Sequence, residues 1–274
     1  MNKYAVLMTM TLLSSTAFAD RLRDTIHSVT RSENQENHLV FMENGRVVHV
    51  KHNDPTISDY QPGRAVEIEV NENNIAEAVS SISDLKPDSD ERNFDSVDGV
   101  NATVLPSYSS ASSIFSGMNR SWRSNTECTD RAHVWAYEEW KKSGLISRKV
   151  FLFFTNTYIR RYNYGWWFHV SPYVLVGDSS TEYVMDRRYT SSPRTMKNWT
   201  DIFIRSKRSC PVTTYRHYRN NKNGVEHCFA VKSNMYNRLP YHVRMEEDNG
   251  RVQTRFSTSE VNFSYRAFTR RGAK

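Results

Sequence analysis

Hydrophobic and polar positions change their spacing several times along the chain. Lys3 precedes a short apolar stretch, Ala5–Leu13 (AVLMTMTLL), and Ala17-Phe18-Ala19 has the A-x-A form of a cleavage site. Residues 1–19 therefore read as a signal peptide of a secreted or periplasmic chain. No later segment approaches the ~18 apolar residues a membrane helix needs, so no membrane partner is expected. His38–Glu43 and Arg46–Val50 flank Asn44-Gly45, which predicts a hairpin with a type I′ turn. Ala65–Val70 (AVEIEV) alternates as a strand does. Ile75, Ala78, Val79 and Ile82 are spaced as a helical stripe, predicting a helix over Asn73–Leu85. Residues 20–85 thus read as a small α+β unit. Lys86–Asn101 is polar, acidic and without period, so 86–104 reads as a linker, open to proteolytic nicking.

The remainder, 105–274, is denser in long periods. Ser109–Met118 predicts a short helix. Asn125–Ser143 predicts a longer one, with Cys128, Ala132, Trp135, Ala136 and Trp140 on one face, Asn125 or Thr126 as its cap and Gly144 as its stop. Lys149–Thr155, Trp166–Val176, Thr181–Asp186 and Val225–Val231 read as strands, and Pro193–Ile204 as a helix with proline in its first turn. Arg251–Phe268 alternates too weakly to assign, and there are no internal repeats. The expectation is an α+β fold, a cysteine-bearing helix packed on an antiparallel sheet.

Composition narrows the class. The 274 residues are 38% hydrophobic, 12% aromatic and 24% charged, with 10 Gly and 8 Pro, which excludes fibrous, low-complexity and membrane-embedded chains. The net charge of +7 conceals a division. Residues 20–105 hold 17 Asp/Glu against 8 Lys/Arg, whereas 106–274 hold 28 Lys/Arg against 13 Asp/Glu. Opposite signs favour docking of the acidic segment on the basic one. The basic, tyrosine-rich runs Tyr158–Tyr164 and Tyr215–Arg219 could suit nucleic acid, but secretion and a docked acidic segment argue against that partner.

All three cysteines, Cys128, Cys210 and Cys228, lie in the basic half. An odd number leaves one thiol unpaired or paired between chains. Cys128 falls in the first turn of the predicted helix, where the macrodipole favours thiolate; a buried core thiol or half of a disulfide are the alternatives. His133, five residues on, points elsewhere and reads as structural. His169 lies in an aromatic strand. If Gly177-Asp178 is a two-residue loop, Asp186 directly faces His169, about 5 Å away at Cβ, where a carboxylate can orient an imidazole. A loop extended through Ser180, or a bulge at Pro172, shifts that register. No zinc-ligand spacing is present, and no metal or cofactor is expected.

Three motifs carry a resemblance. Cys128-Thr129-Asp130-Arg131-Ala132-His133 resembles the C-x-x-R-A-H helix start of the secreted bacterial protein-glutaminase (protein deamidase) family. Trp166-Trp167-Phe168-His169-Val170 is similar to its W-x-aromatic-H-V strand. Tyr183-Val184-Met185-Asp186, with the loop to Pro193, is similar to its hydrophobic-Asp strand end. The order and spacing agree over about 115–195. Two positions depart: Arg187 stands where the family usually has proline, and Trp167 where it commonly has a small residue. The resemblance implies a papain/transglutaminase-like core with a Cys128–His169–Asp186 triad, and an N-terminal pro-region over the active site. Cys210 and Cys228 are then left to form a disulfide. Trp166 and Trp167 would line a substrate channel or simply pack. The implied activity is hydrolysis of glutamine side chains in proteins or peptides. A transglutaminase, a cysteine peptidase or cell-wall amidase with the same triad, and a non-catalytic secreted binding protein are the alternatives.

Overall fold

A computed structural model describes residues 20–31, 36–82, 101–119, 126–206 and 208–271. The expected signal peptide, most of the expected linker and Asn125 lie outside them. Strands β1 (Asp20–Thr30), β2 (Asn37–Met42), β3 (Val47–Lys51), β4 (Ala65–Val70) and β5 (Ala76–Ser81) form an antiparallel sheet in the order β3-β2-β1-β4-β5. Alternate residues of β4 (Val66, Ile68 and Val70) are buried with Ile26, Val40, Met42, Val48 and Tyr60 in one apolar cluster.

Two local expectations for this region change. Asn44-Gly45 does turn the chain, but only Gly45 takes positive φ, at 96°. The Gly45 N–H donates to Met42 O (3.0 Å) and the Met42 N–H to Arg46 O (2.9 Å). This is the three-residue loop with a glycine bulge, rather than a type I′ turn, which needs both central residues at positive φ. Residues 73–82 are not a helix. The Asn71 side chain accepts from the N–H groups of Asn73 and Ile75 (3.0 and 3.1 Å), and Asn74 sits at φ 57°. That turn sends β5 back along the free edge of β4, whose ladder outweighs the modest helical preference of Val79-Ser80-Ser81. Among the described residues of 20–82 there is a β-sheet with one short 3-10 turn at Ile57–Asp59 and no α-helix.

The basic half continues with β6 (Val104–Leu105), α1 (Tyr108–Gly117), α2 (Cys128–Ser143), β7 (Arg148–Phe154), α3 (Asn156–Tyr162), β8 (Phe168–Val176) and β9 (Thr181–Val184). Then come β10 (Arg194–Thr195), α4 (Met196–Phe203), β11 (Val212–Thr213), α5 (Tyr215–Asn221), β12 (Cys228–Asn234), α6 (Pro240–Asn249) and α7 (Thr258–Arg271). The second sheet runs β10-β9-β8-β7-β12-β11, with β6 beside β8. Its long pairs are antiparallel; β6–β8 and β11–β12 are parallel. The molecule is thus α+β, with antiparallel pairing dominant. The unassigned tail contains α7, which packs on α2.

The tyrosine-rich basic runs form α3 and α5, and their Tyr158, Tyr215 and Tyr218 are buried core residues rather than stacking platforms. A single cluster joins the two halves: Leu39, Phe41 and Val47 of the first sheet pack with Phe151, Phe153, Trp167, Phe168, Ala132 and Cys128. Among the described residues, no helix is long and apolar enough to cross a membrane.

Cys210 and Cys228 are disulfide-bonded, 18 residues apart in sequence with Cα atoms 5.1 Å apart. Closing such a loop removes chain entropy from the unfolded state. Reduction, or the double change Cys210→Ser/Cys228→Ser, is expected to lower the unfolding free energy by ~3 kcal/mol in denaturant titrations.

Asp24 of β1 accepts the Asn44 N–H (2.8 Å), and burial, reinforced by Glu127 and Glu43, pushes its carboxyl up to about 7. Between the ordinary Asp range and pH 7 the unfolded chain ionises this group while the folded one resists, so stability falls as pH rises through that window. Asp24→Asn keeps the acceptor and loses the charge. It should stabilise the chain by about 1–3 kcal/mol at pH 8 and by little near pH 4, measured by denaturant unfolding at both.

Candidate active site

Cys128 opens α2, just after the extended Glu127, and Gly144 in the left-handed conformation closes the helix. The N-cap position is Glu127, whose side chain makes no capping hydrogen bond; the Thr126 carbonyl accepts from the Arg131 guanidinium one turn on. α2 lies across β8, so its first residue meets the strand that carries His169. The Cys128 sulfur hydrogen-bonds to the backbone of Val170, the residue after His169. It is the free cysteine and it is 1% exposed.

Asp186 follows β9. The β8–β9 loop is Gly177–Ser180, four residues, with Gly177 and Ser180 at positive φ, and Val176 pairs with Thr181. The register is thus two residues away from that of the Gly177-Asp178 loop. Side chains alternate with period two, so a shift of two preserves the face. Beyond Val184 the Met185 N–H donates to Pro172 O (2.8 Å), and the Asp186 carboxylate still reaches the imidazole: His169 Nε2 to Asp186 Oδ2 is 2.6 Å.

Two further side chains complete this pair. Trp199 of α4, itself fully buried, donates from Nε1 to the same Asp186 Oδ2 (2.9 Å). Thr190 donates from Oγ1 to the Asp186 carbonyl (2.9 Å), holding the loop closed. Phe203 and Tyr189 pack against the His169 ring. Burial alone would raise the Asp186 carboxyl, but His169, the indole N–H and Arg131 together hold it below the usual range, so it stays ionised. Neither Trp199 nor Thr190 is signalled by spacing, since no period links either to Asp186. Arg131 was visible within the first motif. His133 is buried away from the pair, with Nδ1 3.0 Å from Lys149 Nζ. Arg187 hydrogen-bonds to Phe115 O and lies over the Phe115 ring, tying α1 to the Asp186 loop.

Burial reverses the expectation for the thiol. It pushes Cys128 up to about 12 despite Arg131 and the helix N-terminus. Residues of the first sheet belong to the same apolar cluster as Cys128. Trp167 donates its backbone N–H to Gly45 O (2.8 Å) and its indole N–H to Met42 O (2.8 Å), and stacks on His27 with ring centres 4.7 Å apart. Arg46 lies over Trp166. A Cβ on Gly45 would stand 3.0 Å from the Phe168 ring, so glycine permits this close approach as well as the turn. Both tryptophans that could line a channel are covered by the β2–β3 hairpin. Among the described residues, no three His, Cys, Asp or Glu side chains converge as a metal-holding group.

Residues 111–203 match a protein-family model described as glutaminase. This region, about a third of the chain, is similar to that family. All three candidate residues fall inside it. Among solved structures, pro-protein-glutaminase is 14% identical, with 79% of this chain and 83% of that chain covered and a TM-score of 0.49. The NMR structure of protein-glutaminase from Chryseobacterium proteolyticum is 14% identical, with 60% and 86% covered and a TM-score of 0.38. Neither a shared fold nor an activity follows from similarity at this level. No curated protein matches the chain.

Because the thiol is enclosed and held protonated, iodoacetamide at pH 8 should alkylate Cys128 of the intact chain at least about a hundredfold more slowly than an unfolded control, judged by mass spectrometry. Equal rates would show that the thiol is accessible and ionised.

Proposed function

We propose that the chain is a secreted cysteine hydrolase that deamidates glutamine side chains in proteins or peptides, through a thioester on Cys128, on a papain/transglutaminase-like core. The observation that carries this reading is the buried His169–Asp186 contact, beside a strand whose next residue hydrogen-bonds the free Cys128, within the glutaminase match. Asp186 engages Nε2, so Nδ1 is the ring nitrogen that serves the thiol. His169 takes the Cys128 proton as sulfur attacks the glutamine δ-carbonyl. The imidazolium then gives that proton to the departing ammonia, leaving a thioester. Water adds to the thioester as His169 takes its proton, and collapse releases glutamate and returns the proton to sulfur. Asp186, steadied by Trp199, keeps the ring in one tautomer and stabilises its charged form. The Cys128 backbone N–H at the helix start is a donor for the oxyanion.

The first sheet is the pro-region of this reading. Its acidic composition, its hairpin over Trp166 and Trp167, and its share in the cluster around Cys128 all support a latent state. Secretion rests on residues 1–19 and accords with the Cys210–Cys228 disulfide.

Cys128→Ala, His169→Ala and Asp186→Ala should each reduce ammonia release from casein by at least about a thousandfold while leaving circular dichroism unchanged. Full activity in Cys128→Ala defeats the mechanism. Cleavage within 83–100 should raise the activity of the wild-type chain; equal activity before and after defeats the latent state. New peptide termini or cross-linked casein in place of ammonia would assign a peptidase or a transglutaminase.

A further inference from the structure

Three aromatic rings enclose the His169 imidazole: Phe203, Tyr189 and Trp199, with ring centres 4.5, 5.1 and 5.7 Å away. Trp199 and Phe203 are buried, whereas Tyr189 is 44% exposed. Tyr189 is thus the ring with the imidazole on one side and solvent on the other. Its N–H donates to Asp186 O (3.1 Å), so the turn that holds the carboxylate also fixes this ring. Its phenol lies in the field of the thiol as well: burial raises it, Arg131 and Arg188 oppose the rise, and Cys128 and Asp186 add to it. A glutamine side chain entering on this side passes Tyr189.

The exposed charges beside that ring are of one sign. Arg188 is exposed, with its guanidinium 5.9 Å from the Tyr189 ring centre. Arg205, also exposed, lies two residues beyond Phe203 and 5.5 Å from the Tyr162 ring centre. Its charge reaches the Tyr164 phenol, which burial raises and which Tyr189 and Cys128 also influence. Among the described residues no ion pair joins Arg188 or Arg205 to a carboxylate. The acids of this region are engaged: Asp186 with His169 and Trp199, and Asp201 with Lys197 (2.8 Å). Glu127, at the head of α2, acts on Asp24 of the first sheet. Exposed cations of this kind favour a nearby anion and repel a cation by about twofold to fivefold each.

We propose that Arg188 and Arg205, set about Tyr189, form a rim that selects glutamines lying in acidic protein segments. Asp or Glu carboxylates within about two residues of the reacting glutamine are close enough along an extended chain to meet the two guanidinium groups, while the glutamine side chain passes Tyr189 towards Cys128. The forked donors of arginine match carboxylates in geometry as well as in charge. This inference rests on the deamidation reading above and names the substrate class of that site.

The test is kcat/KM for ammonia release from three peptides of one frame, with the glutamine flanked by Glu, by Ala or by Lys, using the chain cleaved within 83–100. At low salt the Glu-flanked peptide should exceed the Lys-flanked one by at least about tenfold, with the Ala-flanked peptide between them, and the ratio should contract towards unity at about 0.5 M salt. Arg188→Glu/Arg205→Glu should invert the order, and Arg188→Gln/Arg205→Gln should bring the ratio below about threefold. A ratio between peptides does not depend on how much of a variant folds. Equal turnover of the three peptides by the wild-type chain overturns the rim while leaving deamidation standing, and so does an unaltered ratio in either variant. Ammonia from neither the peptides nor casein overturns the deamidation reading itself, and the rim with it.

Discussion

A carboxylate and an imidazole in contact inside a protein require each other. Alone, the buried carboxylate would lose its hydration and become neutral. Asp186 remains ionised because the His169 ring and the Trp199 indole N–H replace the water it has given up. Much of the basic half serves that contact. β8 and β9 set the face, Thr190 and Arg187 hold the loop that follows, and α4 delivers Trp199. α2 places the free thiol against the same strand.

The same burial that encloses the His169–Asp186 contact silences the sulfur. A helix N-terminus contributes only a fraction of the energy that complete enclosure removes, so position alone does not produce a thiolate. The enclosing cluster includes Leu39, Phe41 and Val47 from a sheet of opposite charge balance, and the hairpin between β2 and β3 takes both hydrogen bonds offered by Trp167. Burial of apolar surface and backbone hydrogen bonds hold this cover in place. The charge asymmetry favours its approach more than its final fit. Under the proposed latent state, reactivity is gained by losing this contact rather than by rearranging the site.

How much of this was readable beforehand follows from the range of each interaction. The pairing of His169 with Asp186 survived an incorrect loop length because the true register differed by two residues, which preserves the face; a difference of one would have hidden it. The stripe beginning at Cys128 was legible because α2 is long and amphipathic on its own. β5 was misread because Ile75, Val79 and Ile82 satisfy helical spacing, and only the vacant edge of β4 decides for a strand. Trp199 was invisible because its role depends on where α4 lands, not on any local period. α3, α5 and β1 went unassigned for the same reason: their buried residues are sorted by cores that distant segments build. The thiol's position at a helix start was evident from the sequence, whereas its state depends on what covers it.

The most direct test of the central claim is to trap the acyl-enzyme. A chain cleaved within 83–100 would be mixed with a glutamine-containing peptide, quenched in acid during turnover and analysed by peptide-mapping mass spectrometry. The account predicts an adduct of the peptide less one ammonia, located on Cys128. Steady ammonia release with no adduct on Cys128, or with the adduct on another residue, would contradict it.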